Sequence, residues 1–258
     1  MKASLGILYG IGIGPGDPEL ITVKGLRILQ QVPIVAFPSG MPSKPGMAEQ
    51  IVADWLEPHQ KRLALTFPYV QDEAVLMSAW QTAAEQVWQH LQQGQDVAFV
   101  SEGDVSFYST FTYLAQTLQQ LHPDALIQTV PGICSPLAAA ALLGIPLTIR
   151  SQRLLVLPAL YHVTDLETAL DVADVVVLMK VSSVYSQVWS VLQRRQLLHS
   201  SYVVQRATLP DQQIYSDLTN HPLLELPYFS LLIVQVRRSN PISAADRSYS
   251  ALSSTEES

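Results

Sequence analysis

Three short stretches hold residues whose types and spacing could do chemistry. The first is Gly12-Ile13-Gly14-Pro15-Gly16-Asp17, where glycines alternate with other residues ahead of an acid. Backbone without Cβ atoms can turn sharply there and let another molecule come close. The second, Ser101-Glu102-Gly103-Asp104, sets two carboxylates around a glycine, with Phe107 and Tyr108 just beyond. Such acids can accept hydrogen bonds or take up a proton. The third, Pro131-Gly132-Ile133-Cys134-Ser135, carries the single cysteine. No histidine lies near it in sequence, so Cys134 reads more readily as a small packed residue than as a nucleophile. As proton acceptors, Asp17, Glu102, Asp104 and Tyr108 are candidates by position alone. Asp104 is equally well placed to cap the helix after it. Phe107, Tyr108, Phe111 and Tyr113 could be core aromatics or a platform for a flat ligand. The six histidines (His59, His90, His122, His162, His199 and His221) show no metal-ligand spacing, and no metal site is expected.

Each of these stretches needs a scaffold. Leu5–Ile11 is an apolar strand, and Asp17-Pro18 is a plausible start for the amphipathic helix Leu20–Leu29. A strand, a glycine turn and a helix invite a dinucleotide reading, but the spacing refuses it. Gly10-x-Gly12-x-x reaches Pro15, and Gly12-x-Gly14-x-x reaches Asp17, where a third glycine is needed. The next strand, Pro33–Phe37, also ends in Phe37-Pro38-Ser39 without the acid that would hold a ribose.

Strand and helix patterns then alternate. Strands are predicted at Arg62–Thr66, Asp96–Val100 and Leu126–Val130, and helices at Met47–Leu56, from Asp72 to Gln93, at Thr110–Leu121 and at Ser135–Leu143. Strands followed by helical crossovers imply a parallel five-stranded sheet. The loops after its strands, including Pro38–Gly46 and Phe67–Gln71, should open on one edge, the expected binding face. From about Leu147 short strands come with fewer helices, which suggests a second, mixed-sheet domain. The expected division is an α/β domain over 1–147, an α+β domain over 148–238 and a disordered tail over 239–258.

At 258 residues and 48% apolar content, the chain can bury a large core. Charged residues make up only 14%, against roughly 25% in a typical soluble domain. Part of the surface is therefore expected to meet a partner subunit. A net charge of -7 argues against nucleic acid as a main partner. No apolar run reaches the length of a membrane span and no signal peptide is expected. A lone cysteine fits a reducing, cytoplasmic setting.

Taken in order, GIGPGD, SEGD and VPGICS resemble the tetrapyrrole methylases of cobalamin and sirohaem synthesis, over roughly Leu5 to Arg237. Within that family, SEGDVSFYSTFTY and PYFSLLIV are similar to the branch that methylates C-20 of precorrin-2 or its cobalt form. Val105 departs from the pattern, which usually has proline there.

The resemblance implies S-adenosyl-L-methionine folded in a cleft between two α/β domains of a homodimer, donating its methyl group to a reduced tetrapyrrole. By position it implies donor contacts from Pro15, Glu102, Gly103, Asp104, Phe107, Cys134 and Ser135, with Met179 and Ala207 added from the second domain. Glu102 and Asp104 would face ribose hydroxyls, the amino group or the sulfonium. For the carboxylate-rich substrate, Lys24, Lys44, Arg150, Arg153, Lys180 and Arg206 are the candidate cations. Three rivals remain: another ring-position methylase such as uroporphyrinogen III C-methyltransferase, a non-catalytic tetrapyrrole- or nucleoside-binding module, and a diphthine-type protein methylase.

Overall fold

In the computed structural model, which describes residues 4–39, 46–68, 70 and 72–237, strands and helices alternate along the first half of the chain. β1 (Ile7–Gly12) runs through the glycine turn to α1 (Val23–Gln31), and β2 (Ile34–Ser39) precedes α2 (Met47–Val52). β3 (Lys61–Thr66) precedes the long α3 (Glu73–Leu91), and β4 (Val97–Ser101) precedes α4 (Phe111–Leu121). β5 (Leu126–Val130) leads into α5 (Ser135–Leu143). The five strands form one parallel sheet in the order β3-β2-β4-β1-β5. In its register Gly12 lies beside Ser101 and Ile11 beside Val130. The loops after β1, β4 and β5 therefore leave the sheet side by side.

Both faces of the inner strands are covered, which is why β2 and β4 are buried along their length, whereas the edge strands β3 and β5 carry exposed polar residues. Val97 and Phe99 pack with Leu8, Val87, Leu114 and Leu118 on one face. Ala98 and Val100 pack with Ile11, Leu29, Val35 and Ile51 on the other. Each fully buried Leu, Ile or Phe contributes roughly 1.5–3 kcal/mol. Val105 is buried in the first of these clusters near Phe99 and Phe111, so the residue that departs from the family pattern serves as core.

Two local features differ from the sequence expectation. Asp17 does not start the first α-helix: its side chain accepts the Glu19 N–H and opens a 3-10 turn, Pro18–Leu20. Thr22 then caps α1 by accepting the Gly25 N–H. Asp104 does not cap α4 either, because Ser109 Oγ, not Asp104, accepts the Phe111 N–H (3.1 Å) at its start.

A second sheet carries β6 (Leu154–Leu157), β7 (Val175–Met179), β8 (Ser201–Gln205), β9 (Gln213–Ser216) and β10 (Ser230–Gln235), in the order β6-β7-β10-β8-β9. It is mixed, since β6 runs parallel to β7 while β10 runs antiparallel to it. α6 (Val163–Val172) and α7 (Tyr185–Arg194) supply Leu166, Leu170, Val188 and Val191 to a core with Val176, Leu178, Leu232 and Val234. Among the described residues the first unit runs to Ile145 and takes in Gln205–Gln213, while the second runs from Pro146 to Val204 and resumes at Ile214. The expected tail over 239–258 and Lys44 lie outside the described residues. Among the described residues no helix is long and apolar enough to cross a membrane.

Candidate functional site

The loops after β1 and β4 are joined by backbone. The Gly103 N–H donates to Gly14 O (2.7 Å) and the Gly14 N–H donates to Gly103 O (3.2 Å), a two-residue antiparallel bridge between turns. Both glycines sit at positive φ, +81° and +70°, where a side chain would be strained. The β5 loop closes on the same point. A Cβ on Gly132 would lie 2.2 Å from Gly103 O and 2.6 Å from the Gly12 carbonyl carbon. At Gly12 and Gly132 the glycines serve the close approach of the protein's own backbone, where the sequence had left room for another molecule.

Asp104 fastens this knot. Its Oδ2 accepts the Gly132 N–H (2.7 Å), and its Oδ1 accepts the Ser106 N–H (2.8 Å) and hydroxyl. Burial raises its pKa, but the Ser106 hydroxyl, the Gly132 N–H and the Ser106 N–H outweigh that and hold the carboxyl below its ordinary value. An acid so engaged is a poor proton acceptor at neutral pH. Glu102, two residues earlier, has the opposite character. Burial pushes its pKa above the usual carboxylate value, against hydrogen bonds from its own N–H and from the Ala48 N–H (3.0 Å to Oε1). Ser101 and Ser109, at the two ends of this loop, share a buried hydroxyl–hydroxyl bond of 2.8 Å.

Other candidates gather at the same edge of the first unit. The Cα of Cys134 lies 3.7 Å from the position a Cβ on Gly103 would take, and Cys134 and Ser135 open α5. Phe107 packs edge-on against Tyr108, with ring centroids 4.7 Å apart, and Tyr108 is 54% exposed at φ +54°. Pro15 is partly exposed in the glycine turn. Ala207 reaches this edge too, since its carbonyl oxygen is 3.0 Å from where a Cβ on Gly16 would stand. Lys24 is exposed in the first turn of α1. Arg206 pairs with Asp211, Nε to Oδ1 at 2.7 Å.

The second unit separates its candidates. Arg153 and Asp174 precede β6 and β7. Asp174 Oδ2 accepts the Arg153 N–H (2.8 Å), and its carboxylate also pairs with the Arg153 and Arg237 guanidinium groups (3.4 and 3.5 Å). The backbone bond from Arg153 leads the set that holds the Asp174 carboxyl below its usual value. Met179 ends β7 and Lys180 follows it, at the other end of a five-residue strand about 17 Å long. There the Lys180 ammonium stands over the Tyr228 ring, 5.6 Å from its centroid. Arg153 and Lys180 therefore do not share a site. Arg150 holds a left-handed backbone at φ +52° ahead of β6.

The chemistry of the donor set decides what the first edge fits. Its three joined loops contain Asp17, Glu102 and Asp104 and no Lys, Arg or His. Phosphate groups would be repelled there, whereas a sulfonium or ammonium cation would be favoured. The residues present fit S-adenosyl-L-methionine and not a dinucleotide. A groove of about 560 Å³ lies elsewhere, lined by Thr66, Pro68, the cap Asp72 and the α3 residues Val75, Ala79 and Thr82. It flanks the edge strand β3, three strands and roughly 14 Å from β1, and holds none of the candidate residues. Among the described residues no three His, Cys, Asp or Glu side chains gather as a metal site. Sequence reasoning overlooked Gly132 and Thr208. Gly132 was in view as part of a motif, but Thr208 carries no local signal.

A parallel five-stranded unit whose loops are joined through glycines, with a second mixed-sheet unit, is the fold of solved tetrapyrrole methyltransferases. A crystal structure of uroporphyrin-III C-methyltransferase from Thermus thermophilus, complexed with S-adenyl homocysteine, matches with a TM-score of 0.63 at 21% identity, over 89% of this chain and 97% of that one. The family Tetrapyrrole (Corrin/Porphyrin) Methylases matches residues 7–221, and the chain belongs to it. Cobalt-precorrin-2 C(20)-methyltransferase of Salmonella typhimurium is 32% identical over 232 residues, 89% of this chain and 96% of that protein. Cobalamin biosynthesis protein CobIJ of Mycobacterium bovis is 34% identical over 239 residues. That match takes in 89% of this chain and 46% of the relative, so the chain spans about half that protein's length.

Proposed function

We propose that this chain transfers a methyl group from S-adenosyl-L-methionine to C-20 of precorrin-2, or of its cobalt form, in cobalamin synthesis. The observation that carries the reading is the joined edge of the first sheet. Three motif-bearing loops meet there in an acidic, cation-free setting, in a chain similar to a cobalt-precorrin-2 C(20)-methyltransferase over most of both lengths. When bound, the donor supplies an electrophilic methyl carbon, and its sulfonium leaving group needs no acid.

The chain's own task is then to hold, orient and dry the reactants. Backbone at Gly14–Asp17 and Gly103 forms the floor, and Pro15, Phe107 and Cys134 wall it. Glu102 and Asp104 offer acceptors to hydroxyl or amino groups and favour the cation. Methylation of C-20 releases a proton. Of the two acids of the β4 loop Glu102 suits that role better, because burial raises its pKa whereas hydrogen bonds hold that of Asp104 down. Lys180, held beside Tyr228, is the cation best placed to meet a substrate carboxylate. A homodimer, supported by the low charged fraction, and a cytoplasmic location, supported by the lone cysteine, complete the reading.

The test is a methyl-transfer assay on metal-free precorrin-2, cobalt-precorrin-2 and uroporphyrinogen III, with the product's mass and the NMR position of its new methyl group determined. Methylation at C-20 of either precorrin-2 form supports the proposal. Turnover of uroporphyrinogen III alone would assign another ring position. Donor binding without formation of S-adenosyl-L-homocysteine, or methyl incorporation into polypeptide, would favour the non-catalytic or protein-methylating rival.

A further inference from the structure

Between β8 and β9 the chain leaves the second sheet, and Gln205–Gln213 packs with the first unit. It meets the glycine turn. The Asp17 N–H donates to Thr208 Oγ1 (2.9 Å), and Leu209 and Ala207 fill the space a Cβ on Gly16 would need. Thr208 makes this bond from a left-handed backbone at φ +67°. A β-branched residue is an outlier there, and such strain persists where surrounding contacts over-determine it. Those contacts are present. Gln212 Oε1 accepts the Thr208 N–H (3.0 Å), the Leu209 N–H donates to Arg206 O (2.9 Å), and Arg206, at φ +49°, is tied to Asp211. The short loop closes on itself and aims one hydroxyl at the turn.

We infer that Thr208 is a positioning residue for the methyl donor. Its hydroxyl fixes the Asp17 amide, and through it the peptide units from Pro15 to Asp17 that floor the donor site. The inference rests on the methyltransferase reading. Without the bond the partly buried Asp17 N–H loses its acceptor and the turn gains conformations unable to receive the donor. Apparent affinity then falls with the competent fraction. Thr208 touches no reacting atom, so the loss falls on donor binding and KM and spares kcat at saturating donor.

Two substitutions in the full chain isolate the hydroxyl. Thr208→Val keeps the shape, the β-branching and the strain but removes the acceptor, while Thr208→Ser keeps the hydroxyl. The readouts are equilibrium binding of S-adenosyl-L-homocysteine, steady-state kinetics with precorrin-2, and hydrogen exchange of the peptide spanning Gly14–Asp17. Thr208→Val should weaken binding and raise donor KM about tenfold, with kcat held and exchange accelerated, while Thr208→Ser stays within about twofold of wild type. Wild-type affinity in Thr208→Val, a loss confined to kcat, or equal impairment in Thr208→Ser would overturn the role. If wild type itself binds no S-adenosyl-L-homocysteine, the methyltransferase reading falls and this role with it. A binding wild type beside an unaffected Thr208→Val removes the role alone.

Discussion

The two sheets treat their loop ends in contrasting ways. At the carboxyl edge of the first, Gly12, Gly14, Gly103 and Gly132 are in contact or hydrogen-bonded backbone to backbone, so the edge is built mainly of backbone, with the Asp104 carboxylate fastening it. In the second, side chains decide: Asp174 gathers Arg153 and Arg237 at one end of β7, and Lys180 stands over Tyr228 at the other. A backbone-built edge tolerates almost no substitution, because no rotamer change can relieve a Cβ clash. A side-chain-built one, whose Arg153, Arg237 and Lys180 are exposed around a buried Asp174, can rearrange at its cations, and their single ion pairs contribute little.

Substitution should expose that contrast most strongly at Gly132. Gly132→Ala pushes a methyl group into the backbones of Gly103 and Gly12 and should cost about 3 kcal/mol or more in denaturant unfolding, with donor binding lost. Gly144→Ala is the control. It lies at positive φ (+64°), unlike Gly132, but has nothing within 4 Å of its Cβ position, so it should cost only about 1 kcal/mol. Equal costs would mean that the loops are not locked as described.

Next in size are the two acids of the β4 loop, whose linkage to pH has opposite sign. The carboxyl of Asp104 is lowered on folding, so its contribution is present above the unfolded value of 3.8 and lost as pH falls through the folded one. Asp104→Asn should therefore destabilise by about 1–2 kcal/mol at neutral pH and progressively less in acid. The carboxyl of Glu102 is raised on folding, so its contribution is full below 4.5 and lost as pH climbs through the folded value. Glu102→Gln, which keeps an acceptor for the Ala48 N–H, should remove that decline and leave the melting temperature flat across the same window. If Glu102 also takes the C-20 proton, the variant loses far more in kcat than in donor affinity. Parallel pH profiles for the two variants would contradict the assignment.

The smallest effect belongs to the second sheet. Lys180→Ala should alter stability by less than about 0.5 kcal/mol and raise KM for the tetrapyrrole without changing donor binding. Arg153→Ala should leave both KM values alone, since its guanidinium is engaged with Asp174 at the opposite end of β7.

What was legible in the sequence follows the same division. The parallel sheet and its loop edge could be read because apolar strands, caps such as Asp72 and helix-ending glycines are local signals. The motifs of the first unit were visible because glycine spacing encodes backbone geometry directly. Asp17 misled as an α-helix start because a cap looks the same in sequence whether it opens a 3-10 turn or an α-helix. Arg153 and Lys180 looked alike because pairing with Asp174 or Tyr228 depends on strand register across long separations. Thr208 was invisible for a related reason. Its partner Asp17 lies 191 residues away, and nothing in a threonine announces a left-handed backbone.

The central claim is that the methyl donor binds where the loops after β1, β4 and β5 join. Hydrogen exchange of the full chain with and without S-adenosyl-L-homocysteine tests it directly. The account predicts new protection in peptides covering Gly12–Asp17, Ser101–Ser109 and Pro131–Ser135 together. Protection confined to the groove beside Thr66 and the first turns of α3, with those three peptides unchanged, would contradict it.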